Sequence, residues 1–247
     1  MTTHVALFSG GKDSLVSTHY AFTHFPIDYV AYLDTNSGLP ANLEYVRSVC
    51  DEQNWPLQVV KSPVTLTEFA TKYGFAGPSV HSWAYSYFKE RQLRQLKNKH
   101  GEIIYYSGVR SAESDRRLKN VEGKYLKADR WLWVSPIHDF TNTDCKNYIQ
   151  RHNLRVNPLY DTIGRSGDCY CGAYAHRITE LGQLKEYHPE HYDFLMNIEA
   201  KIQDLDLPEN RKSWGWGGLS EKELRALVAH NDDEQMLLCK NCDVGLI

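Results

Sequence analysis

Val5-Ala6-Leu7-Phe8-Ser9-Gly10-Gly11-Lys12-Asp13-Ser14 is the stretch that decides the fold. Its apolar half reads as a short buried strand, and the polar hexapeptide that follows reads as a phosphate-cradling loop and a helix start. Two adjacent glycines let the backbone turn sharply and aim consecutive N–H groups at one anion, while the helix adds the partial positive charge of its N-terminus. Lys12 brings a full charge and Ser9 and Ser14 bring hydroxyls. Asp13 is placed either to cap the helix or to help hold a metal ion beside phosphates. The commoner ATP-binding loop has four residues between its first glycine and its Gly-Lys pair, and Ser or Thr after the lysine. Here Ala6 stands at that first glycine and Asp13 follows the lysine. The loop is short and suits a pyrophosphate-sized anion.

Outward from this loop, runs rich in β-branched and aromatic residues recur at 4–8, 28–33, 57–61, 103–107 and 131–134. Helical periodicity over 13–23, 41–53, 66–73 and 82–100 separates most of them, the alternation of a parallel sheet joined by helical crossovers. Ligands in such sheets sit at the carboxyl ends of the strands. The loop at 9–14, the turn Asp34-Thr35-Asn36-Ser37-Gly38 and the segment Gly108 to Arg117 all follow strands and are expected to converge on one crevice. Thr141 to His152 reads as a helix capped by Thr141 with Asp144 three residues on. Residues 157–175 have loop chemistry, and helical periodicity resumes near 178–186 and 190–204. Trp214-Gly215-Trp216-Gly217-Gly218 reads as an aromatic, flexible link into a last helix capped by Ser220.

A chain of 247 residues with 42% hydrophobic content can bury one good core. The expected organisation is an α/β nucleotide-binding domain over 1–160 and a helical, cysteine-bearing extension over 161–247 packed on it. The sequence shows neither a bilayer-length apolar run nor a basic-then-apolar leader. The expectation is a cytoplasmic protein with no membrane anchor, in a compartment where six cysteines serve as thiols or metal ligands. The formal charge of −3 conceals a basic window, Lys89 to Arg130, with twelve Lys/Arg against six acids. Part of that excess is a solvated helix face at 89–100, and the rest marks an expected anion site.

With these segments placed, residues 4–175 resemble the phosphoadenylyl-sulfate reductase family of PP-loop ATP pyrophosphatases. The hexapeptide 9–14 is similar to the SGGxDS PP-loop, and Leu33-Asp34-Thr35 to the family's Asp-Thr-Gly turn, with Asn36 in place of the glycine. Ser107-Gly108-Val109-Arg110-Ser111-Ala112-Glu113-Ser114-Asp115-Arg116 looks like the Gly-x-Arg-x-x-Glu-Ser-x-x-Arg segment that reaches phosphate or sulfate oxygens. Pro136 to Thr141 and Asn157-Pro158-Leu159-Tyr160-Asp161 match a stretch whose expected role is structural. The resemblance implies a Rossmann-like parallel sheet with helices on both faces and ATP bound with Mg²⁺. It places Ser9 to Ser14 on the β,γ-phosphates, Asp34 near the nucleoside, and Gly108, Arg110, Glu113 and Arg116 around a second anion. Lys12, Asp13 and Arg110 are the expected catalytic groups.

Cysteines divide the functions within this resemblance. Cys169 and Cys171 form a C-x-C pair and Cys239 and Cys242 a C-x-x-C pair, so four thiolates meet if the C-terminal tail folds back. Four thiolates suit a [4Fe–4S] cluster or tetrahedral Zn²⁺, and redox-active thiols are a third reading. Reductases of the family attack sulfate sulfur with a cysteine near the C-terminus, where this chain has Val244. Cys50 and Cys145 lie on expected helices and read as packed. The alternative family chemistry splits ATP to activate an oxygen for replacement by sulfur, as in the pyrophosphatase component of DNA phosphorothioation. That reading implies a cysteine desulfurase and other sulfur-modification proteins as partners, with a DNA contact through 89–130 and a possible homo-oligomer. Sulfonucleotide reduction and non-catalytic ATP sensing are the competing functions. His188-Pro189-Glu190-His191 reads as exposed capping, and Trp131 and Trp133 as core.

Overall fold

A computed structural model of the chain describes residues 2–77, 81–111, 125–128 and 131–215. Its centre is a six-stranded sheet in the order β3-β2-β1-β4-β6-β5, built from β1 (Thr3–Leu7), β2 (Tyr29–Asp34), β3 (Leu57–Lys61), β4 (Ile103–Tyr106), β5 (Tyr125–Ala128) and β6 (Trp131–Val134). Five strands run parallel, and β5 pairs antiparallel with β6 at the edge. Alternation of side chains along β1 and β2 explains why both faces carry helices. Val30 and Tyr32 enter a cluster with Phe8, Leu15, Tyr45 and Val46 on one face. Val5 and Ala31 enter another with Leu93, Leu96, Tyr105 and Trp133 on the opposite face.

α1 (Lys12–His24) and α2 (Pro40–Glu52) provide the crossovers among the first three strands. α3 (Leu66–Tyr73) begins with a capping box in which Thr65 and Glu68 satisfy each other's backbone N–H groups. α4 (His81–Tyr85) runs through a π turn at Ser86–Glu90 into α5 (Arg91–His100). α6 (Asn142–Arg151) carries a second capping box, Thr141 with Asp144. α7 (Tyr160–Ile163), α8 (Arg177–Tyr187) and α9 (Pro189–Ile202) follow. One apolar cluster joins residues on both sides of position 160, among them Leu66, Phe69, Phe88, Leu184, Leu195 and Trp214. Burial of these side chains fixes the C-terminal helices to α3 and to the helical turn at 84–88.

The chain runs from β1 out to β3 and then returns to the other side of β1 at β4. That reversal opens a crevice at the carboxyl ends of β1 and β4, and the loop at 9–14 and the segment from Ser107 both enter it. The structure adds β5, to which the sequence assigns no element. Among the described residues no helix is long and apolar enough to cross a membrane.

Candidate nucleotide and thiol site

The loop is held from behind by two asparagines. Gly10 has φ +86°, and a Cβ there would lie 2.0 Å from Asn42 Oδ1, so only glycine fits. Asn42, fully buried on α2, donates from Nδ2 to the Ser9 carbonyl at 2.9 Å and to Tyr32 Oη at 3.1 Å. Asn157 Nδ2 donates to the Gly10 carbonyl at 3.2 Å and to Asn42 Oδ1 at 2.8 Å. The loop's carbonyl oxygens are thereby taken up by the scaffold. Gly11 is the N-cap of α1 and provides no side-chain cap. Within the first turn, Lys12 N donates to Tyr160 Oη at 3.3 Å, and Ser14 Oγ donates to the Gly11 carbonyl at 2.9 Å and lies 3.1 Å from Ser9 Oγ. With no cap from Gly11 itself and only the Lys12 N–H taken, by Tyr160, the remaining N–H groups of the first turn and the helix dipole attract anions.

Cations gather at the same place. Lys12 Nζ lies 4.2 Å over the Tyr160 ring. Burial, and then the like charge of Lys146 on α6, push its pKa below the ordinary lysine value. Asp161 and Asp13 offset part of that shift, and an anion beside Lys12 would offset more of it. Gly108 closes the other side: a Cβ there would sit 2.8 Å from the backbone of both Asp13 and Ser14. Arg110 is buried, donating from Nη2 to Asp13 Oδ2 at 2.9 Å and Asn142 Oδ1 at 2.8 Å, and from Nη1 to the Phe140 carbonyl at 3.3 Å. It does not line the crevice. Expected from the sequence at a second anion, Arg110 here ties Asp13 and the first turn of α1 to α6. Asp13 correspondingly accepts from Arg110 and does not cap its helix.

Across the crevice from Ser9, Ser14 and Gly108 stand Tyr85, Lys89 and Asp168. Lys89 occupies the π turn, a helix irregularity that often marks functional positions, and donates from Nζ to Asp168 Oδ2 at 2.9 Å. Both are less than one-tenth exposed. Lys89 and Tyr85 also line a smaller cavity with His81, Cys169 and Cys171, so one wall serves the crevice on one side and the thiols on the other.

The turn after β2 holds the thiol loop. Asp34 Oδ1 accepts from Asn36 N at 2.9 Å, which stabilises the left-handed Asn36 at φ 54°. Thr35 Oγ1 donates to the Asp168 carbonyl at 3.0 Å, Tyr170 N to Ser37 Oγ at 3.1 Å, and Ser37 Oγ to Cys169 Sγ at 3.7 Å. A Cβ at Gly38 would be 2.6 Å from the Asp168 carbonyl. Cys171 hydrogen-bonds Cys169 and, with Lys89 and Ser37 nearby, holds the Cys169 thiol below its ordinary pKa, while Cys171 is pushed up. Cys50 and Cys145 are buried, and burial pushes each up to about 12.

Four sequence candidates, Glu113, Arg116, Cys239 and Cys242, lie outside the described residues, as does Trp216. Among the described residues no group of three or more His, Cys, Asp or Glu is arranged to hold a metal. Cys169 and Cys171 supply two thiols, half the donor set of a four-thiolate site. His188 is the N-cap residue of α9 but makes no side-chain cap, and His191 stacks edge-on against Tyr170 at 4.6 Å. Trp214 is fully buried, its indole N–H donating to the Tyr170 carbonyl at 2.7 Å. Sequence reasoning missed Asn42, Lys89, Lys146 and Asp168 as site residues. Asn157 and Tyr160 carried a signal, since they fall in a recognised string, but were read as packing alone.

The sequence model of the phosphoadenosine phosphosulfate reductase domain matches residues 3–173. The chain belongs to the phosphoadenosine phosphosulfate reductase domain family. An uncharacterised protein of Methanocaldococcus jannaschii is 26% identical over 229 residues, 91% of this chain and 55% of the relative. Sulfate adenylyltransferase subunit 2 of Pseudoalteromonas translucida is 27% identical over 183 residues, 63% of this chain and 60% of the relative. The chain thus spans little more than half the length of these curated relatives. The crystal structure of a phosphoadenylyl-sulfate reductase from Candida auris superposes with a TM-score of 0.49 at 17% identity, covering 64% of this chain and 77% of that one. The segment matched by the family model contains the loop, the β2 turn, Gly108, Arg110, the Lys89–Asp168 pair, Cys169 and Cys171.

Proposed function

We propose that this family member is an ATP pyrophosphatase that activates an oxygen, in our reading that of a DNA backbone phosphate, for replacement by sulfur. The observation that carries the reading is the loop at 9–14, with its carbonyls tied back by Asn42 and Asn157 and a helix start that its own N-cap residue, Gly11, leaves without a side-chain cap, beside Lys12. ATP enters with its Mg²⁺ as substrate. The acceptor oxygen attacks the α-phosphorus, the bond from that phosphorus to the α,β-bridging oxygen breaks, and charge collects on the departing pyrophosphate. In this reading the Lys12 ammonium and the free N–H groups of the first turn of α1 receive that charge, and fixed donors cost no reorganisation. Arg110 keeps Asp13, and with it the helix start, in register with α6.

The thiol side supports sulfur handling. Cys169 and Cys171 lie behind the Lys89–Tyr85 wall, and with Cys239 and Cys242 they would complete a four-thiolate site, our proposal for a [4Fe–4S] cluster or Zn²⁺. A cysteine desulfurase as sulfur source and a cytoplasmic setting complete this proposal. A second reading, sulfonucleotide reduction, is favoured by the place of Cys169 in the cavity behind the Lys89–Tyr85 wall, where the hydrogen bond with Cys171 holds its thiol below the ordinary pKa. Against it stand the raised Cys50 and Cys145 thiols. Purified protein given ATP is expected to release pyrophosphate, and Lys12→Ala to lose most of that activity. Unchanged turnover in the variant would reject the loop assignment. Sulfite release from a sulfonucleotide with thioredoxin as reductant would install the second reading instead.

A further inference from the structure

The outer face of the helical segment 81–100 carries a cluster that the crevice does not use. Trp83 is 51% exposed, the extreme among the large aromatic side chains described. Its ring meets Tyr73 edge-on at 6.0 Å, and Tyr73 meets Tyr87 at 5.6 Å with their hydroxyls 2.7 Å apart. Each of the three rings has a cation near its face: Arg211 at 5.6 Å from Trp83, Lys72 at 5.1 Å from Tyr73 and Arg91 at 3.9 Å from Tyr87.

The arrangement is built. Gly74, at φ +73°, ends α3 so closely against residue 211 that a Cβ there would sit 2.5 Å from Arg211 Cβ. Arg211 Nη1 donates to the Tyr73 carbonyl at 3.1 Å, and its own carbonyl accepts from Phe75 N at 2.7 Å. The neighbouring carboxylates are engaged elsewhere: Glu68 in its capping box, Glu90 with Arg94, and Glu209 with Lys212. Neither Lys72 nor Arg91 forms an ion pair with a carboxylate among the described residues.

We propose that this aromatic and cationic face binds single-stranded nucleic acid. The exposed Trp83 ring offers a platform for an unpaired base, whose face a duplex keeps covered, and the cations around it match the charge of a phosphodiester chain. An apolar protein surface would be served by the rings but would leave the cations without complementary charge. The placement also suits the proposed chemistry, although the inference does not depend on it. Tyr85 and Lys89 of the same helical segment face the crevice, so a strand held on Trp83 and Tyr87 lies about one helix diameter, ~10 Å, from the crevice mouth.

The test is fluorescence anisotropy of the full chain with a labelled 15-nucleotide thymidine strand, compared with the same strand annealed to its complement, over a range of salt. Salt-dependent binding that favours the single strand is expected. Trp83→Ala should weaken it by about 5- to 140-fold, the range for loss of one stacked base. Arg91→Ala should lower the slope of log affinity against log salt by about 0.7. Circular dichroism and pyrophosphate release of the Trp83→Ala protein are expected to match those of the parent. Equal affinity of parent and variant, preference for the duplex, or no binding overturns the proposal. So does a Trp83-dependent rise in oligomer size with concentration, which would give the face to a second copy. Because binding and pyrophosphate release are read separately, failure here leaves the reading of the crevice standing, and failure there leaves this one.

Discussion

Gly108→Ala tests how the crevice is shaped without touching any side chain in it. The added Cβ would lie 2.8 Å from Asp13 C and Ser14 N and 2.9 Å from Asp13 O, all backbone atoms, where ordinary contact begins near 3.4 Å. No side chain can swing aside, so the start of α1 must withdraw from the end of β4 by roughly half an ångström. Overpacking of this kind costs about 1–3 kcal/mol, a fall in Tm of roughly 2–12 °C for a chain of this size. Positional errors at a reacting centre are more severe, since a misplacement of ~1 Å can cost a hundredfold in rate. We expect ATP turnover to fall about tenfold or more while circular dichroism shows a folded protein. Gly182→Ala is the control: nothing lies within 4 Å of its Cβ position in α8, and replacing a helical glycine should raise stability by about 0.5–1 kcal/mol without changing turnover. A folded Gly108→Ala protein with parental affinity and turnover would refute the idea that the close approach of β4 and the loop shapes the site.

Two further outcomes follow from the packing. Glu199 accepts from Arg177 and from the backbone N–H of Trp214, so Glu199→Ala leaves a buried N–H and a half-buried guanidinium without their partner. A loss of about 3 kcal/mol and a fall in Tm of roughly 6–12 °C are expected by calorimetry, and a change within 1 °C would contradict that role. The capping carboxylates Glu68 and Asp144 both have lowered pKa values because they accept hydrogen bonds from Thr65 and Thr141. Their stabilisation is therefore present above the unfolded-state pKa and lost as pH falls through the lowered native one. The double variant Glu68→Gln with Asp144→Asn should melt lower than the parent at neutral pH, with the gap narrowing as the solution is acidified. A gap independent of pH would assign the effect to something other than charge.

Local chemistry was legible in the sequence wherever it was contiguous. The strand-loop-helix at 5–14 needs only its own glycines and apolar residues, and the Thr141 cap needs only Asp144. What escaped is long-range. Asn42 and Asn157 meet across 115 residues and Lys89 and Asp168 across 79, and no periodicity encodes such pairs. β5 was missed because four residues at a sheet edge, one of them Lys127, present no alternating pattern long enough to separate from loop. Trp214 sits in a glycine-rich string that reads as a flexible link, yet its indole finds the Tyr170 carbonyl and the residue is fully buried. Arg110 matched the family segment as an anion-binding residue by type, but the nearness of Asp13, 97 positions away, is a property of the fold.

The central claim is that the loop at 9–14 holds the pyrophosphate of ATP while the bond at the α-phosphorus is broken. Incubating the full chain with ATP labelled at the α-phosphorus, with and without a single-stranded DNA acceptor, and separating the nucleotide products tests it most directly. The account predicts labelled AMP or labelled acceptor together with free pyrophosphate, strongly reduced in Lys12→Ala. Labelled ADP with inorganic phosphate, or products unaffected by Lys12→Ala, would contradict it.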